Sequence, residues 1–224
     1  HDLKNPLGVV MGRSEMLKDV LDNAQASGEL AREQIRHIEE SGRRMLSMVD
    51  SLLADAMEDA MDISLRVDRI NIGGLVRQVV EMSRPAATRK SQALAVNGPE
   101  FLLVEGDYDR LWEAIENLVS NAIKYTPASG TIDVTIGEAG GDARILVRDT
   151  GLGLLPEDIA RLFGRFQRLS AKPTGGESST GLGLSIAKKI VDLHGGAIAA
   201  ESGGPHKGTT FSIALPVTRS VQDR

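Results

Sequence analysis

The stretch ARILVRDTGLGL, residues 143–154, joins a predicted strand to a glycine-rich turn and decides between the possible folds. The strand ends at Asp149, and two alternate glycines, Gly151 and Gly153, follow it. Glycine lets the backbone approach a flat ligand closely, and a carboxylate at the strand end is free to accept a hydrogen bond from an amino group. A plain strand-to-loop turn uses the same residue types, so this motif alone is only moderately specific.

Short strands and helices alternate on both sides of this turn. We predict strands at 93–96, 102–105, 131–136, 143–148, 197–201 and 209–215, and helices at 72–90, 107–125 and 182–194. Apolar residues alternate in TIDVTI and TFSIAL, as is typical of half-buried strands. The order predicts an α+β fold with a sheet covered by helices on one face. The polar stretch KPTGGESST, residues 172–180, is a candidate mobile lid.

A second motif, ENLVSNAIKYTP at residues 116–127, belongs to the predicted helix 107–125. At about 100° per residue, Asn117, Asn121 and Lys124 fall in one sector and the apolar residues in another. A solvated face is the ordinary explanation, but asparagine is a poor helix former. An amide oxygen is a suitable ligand for magnesium, and a lysine beside it suits a phosphate.

The third motif, STGLGLSIAKKIV at residues 179–191, places glycines at the start of an amphipathic helix. Backbone N–H groups and the positive end of the helix dipole then face whatever precedes the helix, which makes an anion site in principle. The P-loop pattern occurs nowhere in the chain, and no strand feeds this turn as a dinucleotide-binding fingerprint requires.

The first 62 residues have a different, helical pattern. Apolar or small residues recur at heptad spacing in two runs: Leu3, Leu7, Val10, Ser14, Leu17 and Leu21, then Ile35, Ile38, Gly42, Met45, Val49, Leu52 and Ala56. These runs predict a helical hairpin over 1–62 that pairs with a second copy into a four-helix bundle, or else packs on its own domain. Residues 63–71 are interpreted as a linker, 72–218 as the second domain and 219–224 as a tail.

His1 is not part of the first heptad run and lies on the outer face of the predicted helix. A histidine in that place is ordinarily a solvent-exposed residue without a specific function. The neighbouring Asp2 and Asn5 favour a function, because a carboxylate that bonds the ring selects its tautomer and raises the nucleophilicity of the other nitrogen. Pro6 removes a backbone donor and predicts a bend just after the histidine.

Composition excludes several classes of function. The 224 residues contain no cysteine, so the chain has no disulfide framework, thiolate metal site or cysteine nucleophile. A formal net charge of -5 and the lack of a basic stripe argue against nucleic acid as the main partner. No apolar run reaches the ~20 residues of a membrane span, which predicts a cytoplasmic fragment whose parent protein could still be membrane-anchored.

Taken together and in this order, the motifs resemble the transmitter part of the sensor histidine kinases of two-component signalling. HDLKNPL resembles the H box, NLVSNAIKYTP the N box, DTGLGL the G1 box, LFGRFQR (162–168) the F box and TGLGLSIAKKIV the G2 box. The resemblance covers essentially the whole chain. It implies a dimeric four-helix bundle, truncated on its amino-terminal side, followed by a Bergerat-type α/β sandwich that binds ATP and Mg²⁺. It also implies a homodimer whose partner is a response-regulator receiver domain.

The resemblance also implies roles for single residues of the H and N boxes. His1 would accept the phosphoryl group, Asp2 would be the general base and Asn5 would act in dephosphorylating the partner. Asn121 would hold magnesium. Asn117 and Lys124 would lie near the phosphates and Tyr125 near the nucleotide.

The glycine boxes receive nucleotide-binding roles in the same way. Asp149 would accept from the exocyclic amine of adenine, and Gly151 and Gly153 would let the chain pass the base. The G2 residues Thr180, Gly181, Leu182 and Gly183 would lie by the phosphates. In the F box, Phe163 and Phe166 would anchor the lid or serve as ordinary core aromatics.

Two rival functions remain at this point. A gyrase-like or chaperone-like enzyme would hydrolyse ATP, but such enzymes place a glutamate four residues before the magnesium asparagine, where this chain has Asn117. A degenerate transmitter would bind nucleotide or act only as a scaffold, which the intact Asn121, Asp149 and glycine motifs disfavour. Asp2, Asn5, Gly164 and Ser179 depart from the commonest family residues without removing a required chemical group.

Overall fold

The computed structural model describes residues 4–22, 28–42, 65–164, 167, 171, 173–175 and 181–218, which fall in two compact units, His1–Ile63 and Ser64–Arg224. In the first unit, helix α1 spans Lys4–Asp22 and helix α2 spans residues 28–42. A hydrogen bond of 3.0 Å from Arg13 to Gln34 joins the two helices. The continuation of the second heptad run, residues 45–56, lies outside the described residues. No described helix has both the length and the apolar composition of a membrane span.

The second unit alternates strands and helices. The elements are β1 (Asp68–Asn71), α3 (Ile72–Arg89), β2 (Ala93–Asn97), β3 (Leu103–Gly106), α4 (Tyr108–Tyr125), β4 (Thr131–Ala139), β5 (Asp142–Asp149), α5 (Pro156–Arg161), α6 (Gly183–Leu193), β6 (Ala197–Glu201) and β7 (Thr210–Pro216). Every strand and helix predicted between residues 72 and 215 is present, with ends that differ by three residues or fewer.

Five strands form one mixed sheet in the order β2-β4-β5-β7-β6, and β1 pairs with β3 in a separate two-stranded sheet. Among the strands that the structure describes, only the β2–β4 pair is parallel. Alternate residues of β4, β5 and β7 are buried, so one face of the sheet meets the core formed with α3, α4 and α6. The predicted α+β fold is confirmed.

Helix α4 lies at the centre of this core and positions the N-box residues. It starts after Asp107, whose side chain accepts from the backbone N–H of Arg110 at 3.2 Å and so caps the helix. Its apolar stripe, including Leu111, Ile115 and Leu118, is buried. The polar sector is thereby turned toward the opposite side, as the helical spacing predicts.

Two elements were not predicted from the sequence. Strand β1 falls in the segment 63–71, which the sequence analysis assigned to a linker, and α5 falls in a segment assigned to no element. Of the four residues of β1 only Ile70 is buried, so the sequence shows no alternation of buried and exposed residues there. The strand depends on its pairing with β3. Helix α5 has six residues, too few for a helical period to be visible.

Candidate functional site

A cavity with a volume of about 30 Å³ lies between α4, the G1 loop after β5, the start of α6 and the start of β7. The lining is mainly apolar: Asn121, Tyr125, Asp149, Gly153, Leu154, Leu162, Ala171, Leu184, Thr209 and Phe211. Four of these residues, Asn121, Tyr125, Asp149 and Gly153, are site residues predicted from the sequence.

Asp149 is the charged group in this lining, and its side chain is only 5% exposed. Its Oδ1 atom accepts from the backbone N–H of Gly151 at 2.7 Å and from that of Thr209 at 3.2 Å. Within the described part of the chain, Oδ2 accepts no hydrogen bond. Burial raises the pKa of the Asp149 carboxyl, and the two backbone hydrogen bonds oppose that shift.

The raised pKa of Asp149 predicts a stability gain on neutralisation. The protonated carboxyl adds to the free energy of unfolding. This contribution is fully present below the ordinary pKa of about 4 and is lost as pH rises through the raised pKa. At pH 7 we therefore expect Asp149→Asn to raise the melting temperature of the nucleotide-free chain by a few degrees, since the amide oxygen retains both backbone hydrogen bonds. Thermal unfolding measures this, with the exposed Asp133→Asn as matched control. A lower melting temperature for Asp149→Asn alone would contradict the prediction.

The glycines of the G1 loop sit where no side chain fits. A Cβ atom on Gly151 would lie 2.5 Å from the carbonyl oxygen of Tyr125 and 2.7 Å from Asp149 Oδ1. Gly153 has a φ of +67° and packs against the carbonyl of Gly204. The loop is thus pressed between the end of α4 on one side and the loop between β6 and β7 on the other, which brings backbone up to the cavity wall.

The N-box residues Asn117, Asn121 and Tyr125 of α4 separate into two groups. Asn121 and Tyr125 line the cavity. The side chain of Asn117 lies against the start of α6, where a Cβ atom on Gly183 would come within 2.5 Å of Asn117 Oδ1. The first predicted amide therefore contacts the G2 helix, and the second faces the cavity.

Lys124 lies apart from the cavity lining. It borders a second groove, between α3 and α4, together with Lys90 and Gly175. Lys90 Nζ donates to the carbonyls of Ile123 and Lys124 and to Thr174 Oγ1, at 2.8, 3.2 and 2.7 Å. The structure therefore ties Thr174, a residue of the predicted lid 172–180, to the end of α4.

The G2 box forms the entry to α6. Gly181 has a φ of +73°, Leu182 is the N-cap residue and Gly183 is the first helical residue. Leu184 reaches the cavity lining. Thr180 lies outside the described residues. The turn at Gly181 uses the left-handed backbone conformation that glycine adopts without strain.

The H-box and F-box predictions fall largely outside the described residues. This is so for His1, Asp2 and Phe166; Asn5 is in α1, and only its backbone is described. Phe163 is partly buried and packs on the core next to Leu162, which lines the cavity.

Six lining residues were not singled out from the sequence: Leu154, Leu162, Ala171, Leu184, Thr209 and Phe211. Leu154 and Leu184 lie inside the G1 and G2 motifs, so their position next to the glycines and Asp149 indicates that they can reach the same site. Thr209 and Phe211 come to the cavity because β7 pairs with β5, and the segment around Thr209 meets Asp149 across 60 residues of chain. No local periodicity reveals that pairing.

Two family models match the chain. Residues 1–60 match the His Kinase A (phospho-acceptor) domain, and residues 106–219 match the Histidine kinase-, DNA gyrase B-, and HSP90-like ATPase. The first match covers the helical unit with His1 at its start, and the second covers the cavity-forming part from α4 to β7.

Individual proteins show the same similarity. The sensor protein SrrB of Staphylococcus aureus is 30% identical over 216 residues, which are 96% of this chain and 36% of SrrB. The mycobacterial sensor histidine kinase MprB is 27% identical with a TM-score of 0.58, covering 68% of this chain and 99% of the solved one. A solved complex of histidine kinase ThkA with response regulator protein TrrA has a TM-score of 0.67, covering 97% of this chain and 59% of that one; at 24% identity it shows the fold alone. The chain spans about a third of the length of the curated relatives it matches.

Proposed function

This chain belongs to the sensor histidine kinases, and we propose that its own activity is the transfer of the γ-phosphoryl group of ATP to His1. The group then passes to an aspartate on a response-regulator receiver domain. The observation that supports ATP most directly is a buried carboxylate, Asp149, in the wall of an apolar cavity. Its Oδ1 is held by backbone donors, and Oδ2 is left to accept from a ligand.

The cavity chemistry favours adenine over guanine. Leu154, Leu184 and Phe211 offer apolar contact to a planar base. An ionised carboxylate only accepts hydrogen bonds, so Asp149 attracts the exocyclic amine of adenine. Guanine has a carbonyl oxygen at the corresponding place, which would face the carboxylate as a second acceptor.

The phosphate end of the nucleotide is assigned to α4 and α6. Mg²⁺ is commonly bound by one or two protein oxygens, with substrate phosphates and water completing the octahedron. Asn121 lines the cavity, and a site built from its side-chain oxygen plus phosphate fits this chemistry. The metal supplies charge neutralisation of the triphosphate, and the N-terminal N–H groups of α6 add to it.

Replacing Asn121 by alanine is expected to remove most of the dependence of nucleotide binding on magnesium. In the unaltered chain Mg²⁺ should strengthen ADP binding, and in Asn121→Ala the affinities with Mg²⁺ and with a chelator should differ by about threefold or less. Titration calorimetry under both conditions measures the ratio. Alanine is the better helix former, so unfolding of α4 would not explain the loss.

The matched control for this change is Asn97→Ala, at the exposed end of β2. It should keep the full magnesium dependence. An Asn121→Ala chain that keeps that dependence would show that the metal ligand lies elsewhere.

In the proposed step, a lone pair on one ring nitrogen of His1 forms a bond to the γ-phosphorus. The bond from that phosphorus to the β–γ bridging oxygen breaks, and ADP leaves with the electron pair. Asp2 takes the proton of the other ring nitrogen. Phosphoryl transfer asks the protein for position and charge neutralisation, so bringing His1 in line with the nucleotide is the main requirement.

A second copy of the chain and a receiver domain are the proposed partners. Leu7 and Ile35, which belong to the two heptad runs, are 48% and 45% exposed in the single chain, and a four-helix bundle would bury such residues. ThkA has been solved with a response regulator protein, and this chain shares its fold. Asn5 is proposed to act in removing the phosphoryl group from the response regulator. Both phosphoryl-transfer reactions are proposed to take place in the cytoplasm.

Labelling with γ-labelled ATP separates the proposal from its rivals. A kinase binds ATP and acquires a label that acid removes. Hydrolysis to ADP without a labelled protein band would favour a gyrase-like ATPase, although Asn117 offers an amide where those enzymes use a glutamate as base. Absence of nucleotide binding would leave only a scaffold.

A further inference from the structure

The loop between β6 and β7 holds the G1 loop from the side opposite α4. The N–H of His206 donates to the carbonyl of Leu152 at 2.6 Å, and the N–H of Gly208 donates to that of Gly151 at 3.2 Å. Asp149 and Thr209 exchange two further bonds, from Asp149 N–H to the Thr209 carbonyl at 2.9 Å and from Thr209 N–H to Asp149 Oδ1 at 3.2 Å. The wall of the cavity is therefore set by a segment outside all the nucleotide-binding motifs.

Ser202 is the side chain that joins these two loops. Its Oγ accepts from the backbone N–H of Leu154 at 3.0 Å, and Leu154 lines the cavity. The hydroxyl donates to the carbonyl of Gly208 at 2.7 Å, which is closer than the carbonyl of Gly204 at 3.4 Å. One hydroxyl thus bonds the G1 loop and the β6–β7 loop at once.

The Gly208 carbonyl and the Thr209 N–H belong to the same planar peptide group. Ser202 bonds the carbonyl end of this plane, and Asp149 Oδ1 bonds the N–H end. Gly208 has a φ of +71° and packs against the carbonyl of Asp149, so the peptide has little room to adjust by itself. The orientation of the Asp149 carboxylate is therefore coupled to the Ser202 hydroxyl through one rigid plane.

We propose that Ser202 is a positioning residue for adenine specificity, because it orients the Gly208–Thr209 peptide that holds Asp149. This inference rests on the proposed function, since it assigns Asp149 to the adenine amine. Without the hydroxyl, one of the hydrogen bonds that fix the Gly208–Thr209 peptide is lost. Thr209 N–H is then held less closely to Oδ1, and the carboxylate is directed less accurately at the amine. A chain without the Ser202 hydroxyl should therefore recognise the 6-amino group of adenine less well, while its binding of the phosphates stays the same.

The test compares two nucleotides on the full chain: ATP and purine riboside triphosphate, which lacks the 6-amino group. The unaltered chain should bind ATP more tightly. Ser202→Ala should lower that preference about three- to tenfold, the range expected for one hydrogen bond. Ser202→Cys keeps the shape of the side chain but has only a weak hydrogen-bond donor, so it should also lower the preference for ATP. This second variant tests the proposal even if the Ser202→Ala chain fails to fold.

A double-mutant cycle separates positioning from plain structural support. In an Asp149→Asn background, Ser202→Ala should leave the preference unchanged, because its effect passes through that carboxylate. The matched control, Ser212→Ala on β7, lies outside the cavity lining and should keep the full preference.

Equal weakening of both nucleotides in Ser202→Ala, or an unchanged preference, would overturn the assignment of Ser202 and leave the proposed function standing. No ATP binding, or no preference for ATP, in the unaltered chain would overturn the role of Asp149 and the assignment of Ser202 together.

Discussion

A His1→Gln chain is expected to bind ATP as the unaltered chain does and to acquire no phosphoryl label. Glutamine is polar and of similar reach, but its amide nitrogen is not a nucleophile, so no bond to the γ-phosphorus forms. Label incorporation should fall to background, while nucleotide affinity should stay within about twofold. Autoradiography after incubation of the full-length protein with γ-labelled ATP, beside calorimetry with ADP, measures both quantities.

The chain offers a close control for this experiment. His37 lies on α2 between two carboxylates, with ring nitrogens 3.8 Å from Glu33 and 3.7 Å from Glu40. It is therefore the described histidine that most resembles an acid-assisted phosphoacceptor. His37→Gln should keep full labelling. Acid-labile label that persists in His1→Gln and disappears in His37→Gln would move the acceptor to α2.

Asp149→Asn is expected to weaken ATP binding by about 10- to 100-fold, the loss of a hydrogen bond to a charged group worth roughly 1.5–3 kcal/mol. The amide keeps an oxygen for the backbone donors of Gly151 and Thr209, so its NH₂ group is directed where Oδ2 was. That group faces the adenine amine as donor against donor. Calorimetry with ATP measures the loss.

The control is again Asp133→Asn, which changes the same charge at an exposed position of β4 and should leave ATP affinity unaltered. Since Asp149→Asn is also expected to stabilise the nucleotide-free chain, weaker binding and a higher melting temperature should appear together. Weaker binding with a lower melting temperature would point to a damaged fold rather than a lost contact.

Local patterns were sufficient for most of the secondary structure and for the motif residues. Alternation predicted β4 and β7, and helical spacing predicted that Asn117 and Asn121 share one side of α4. These patterns work because a strand or helix that buries one face must repeat apolar residues with its own period. Strand β1 was missed because only one of its four residues is buried, and α5 because it is shorter than two turns.

The same spacing did not tell where each polar residue of α4 points. Asn117, Asn121 and Lys124 share a sector, yet Asn121 lines the cavity, Asn117 meets Gly183 and Lys124 borders the α3–α4 groove. The difference arises from neighbouring elements, because both α6 and α3 pack against α4. A helical wheel contains no information about which elements will occupy its two flanks.

The amino-acid sequence by itself determined the chemistry that is available: a histidine beside an acid, two amides on a helix, and an aspartate followed by glycines. Only the tertiary structure decided that this aspartate is buried, that one of its oxygens is held by the Gly208–Thr209 peptide, and that Ser202 is hydrogen-bonded to that peptide. The physical reason is that residue types and periods are local properties. A hydrogen bond between residues 60 positions apart depends on strand pairing, which the whole fold establishes.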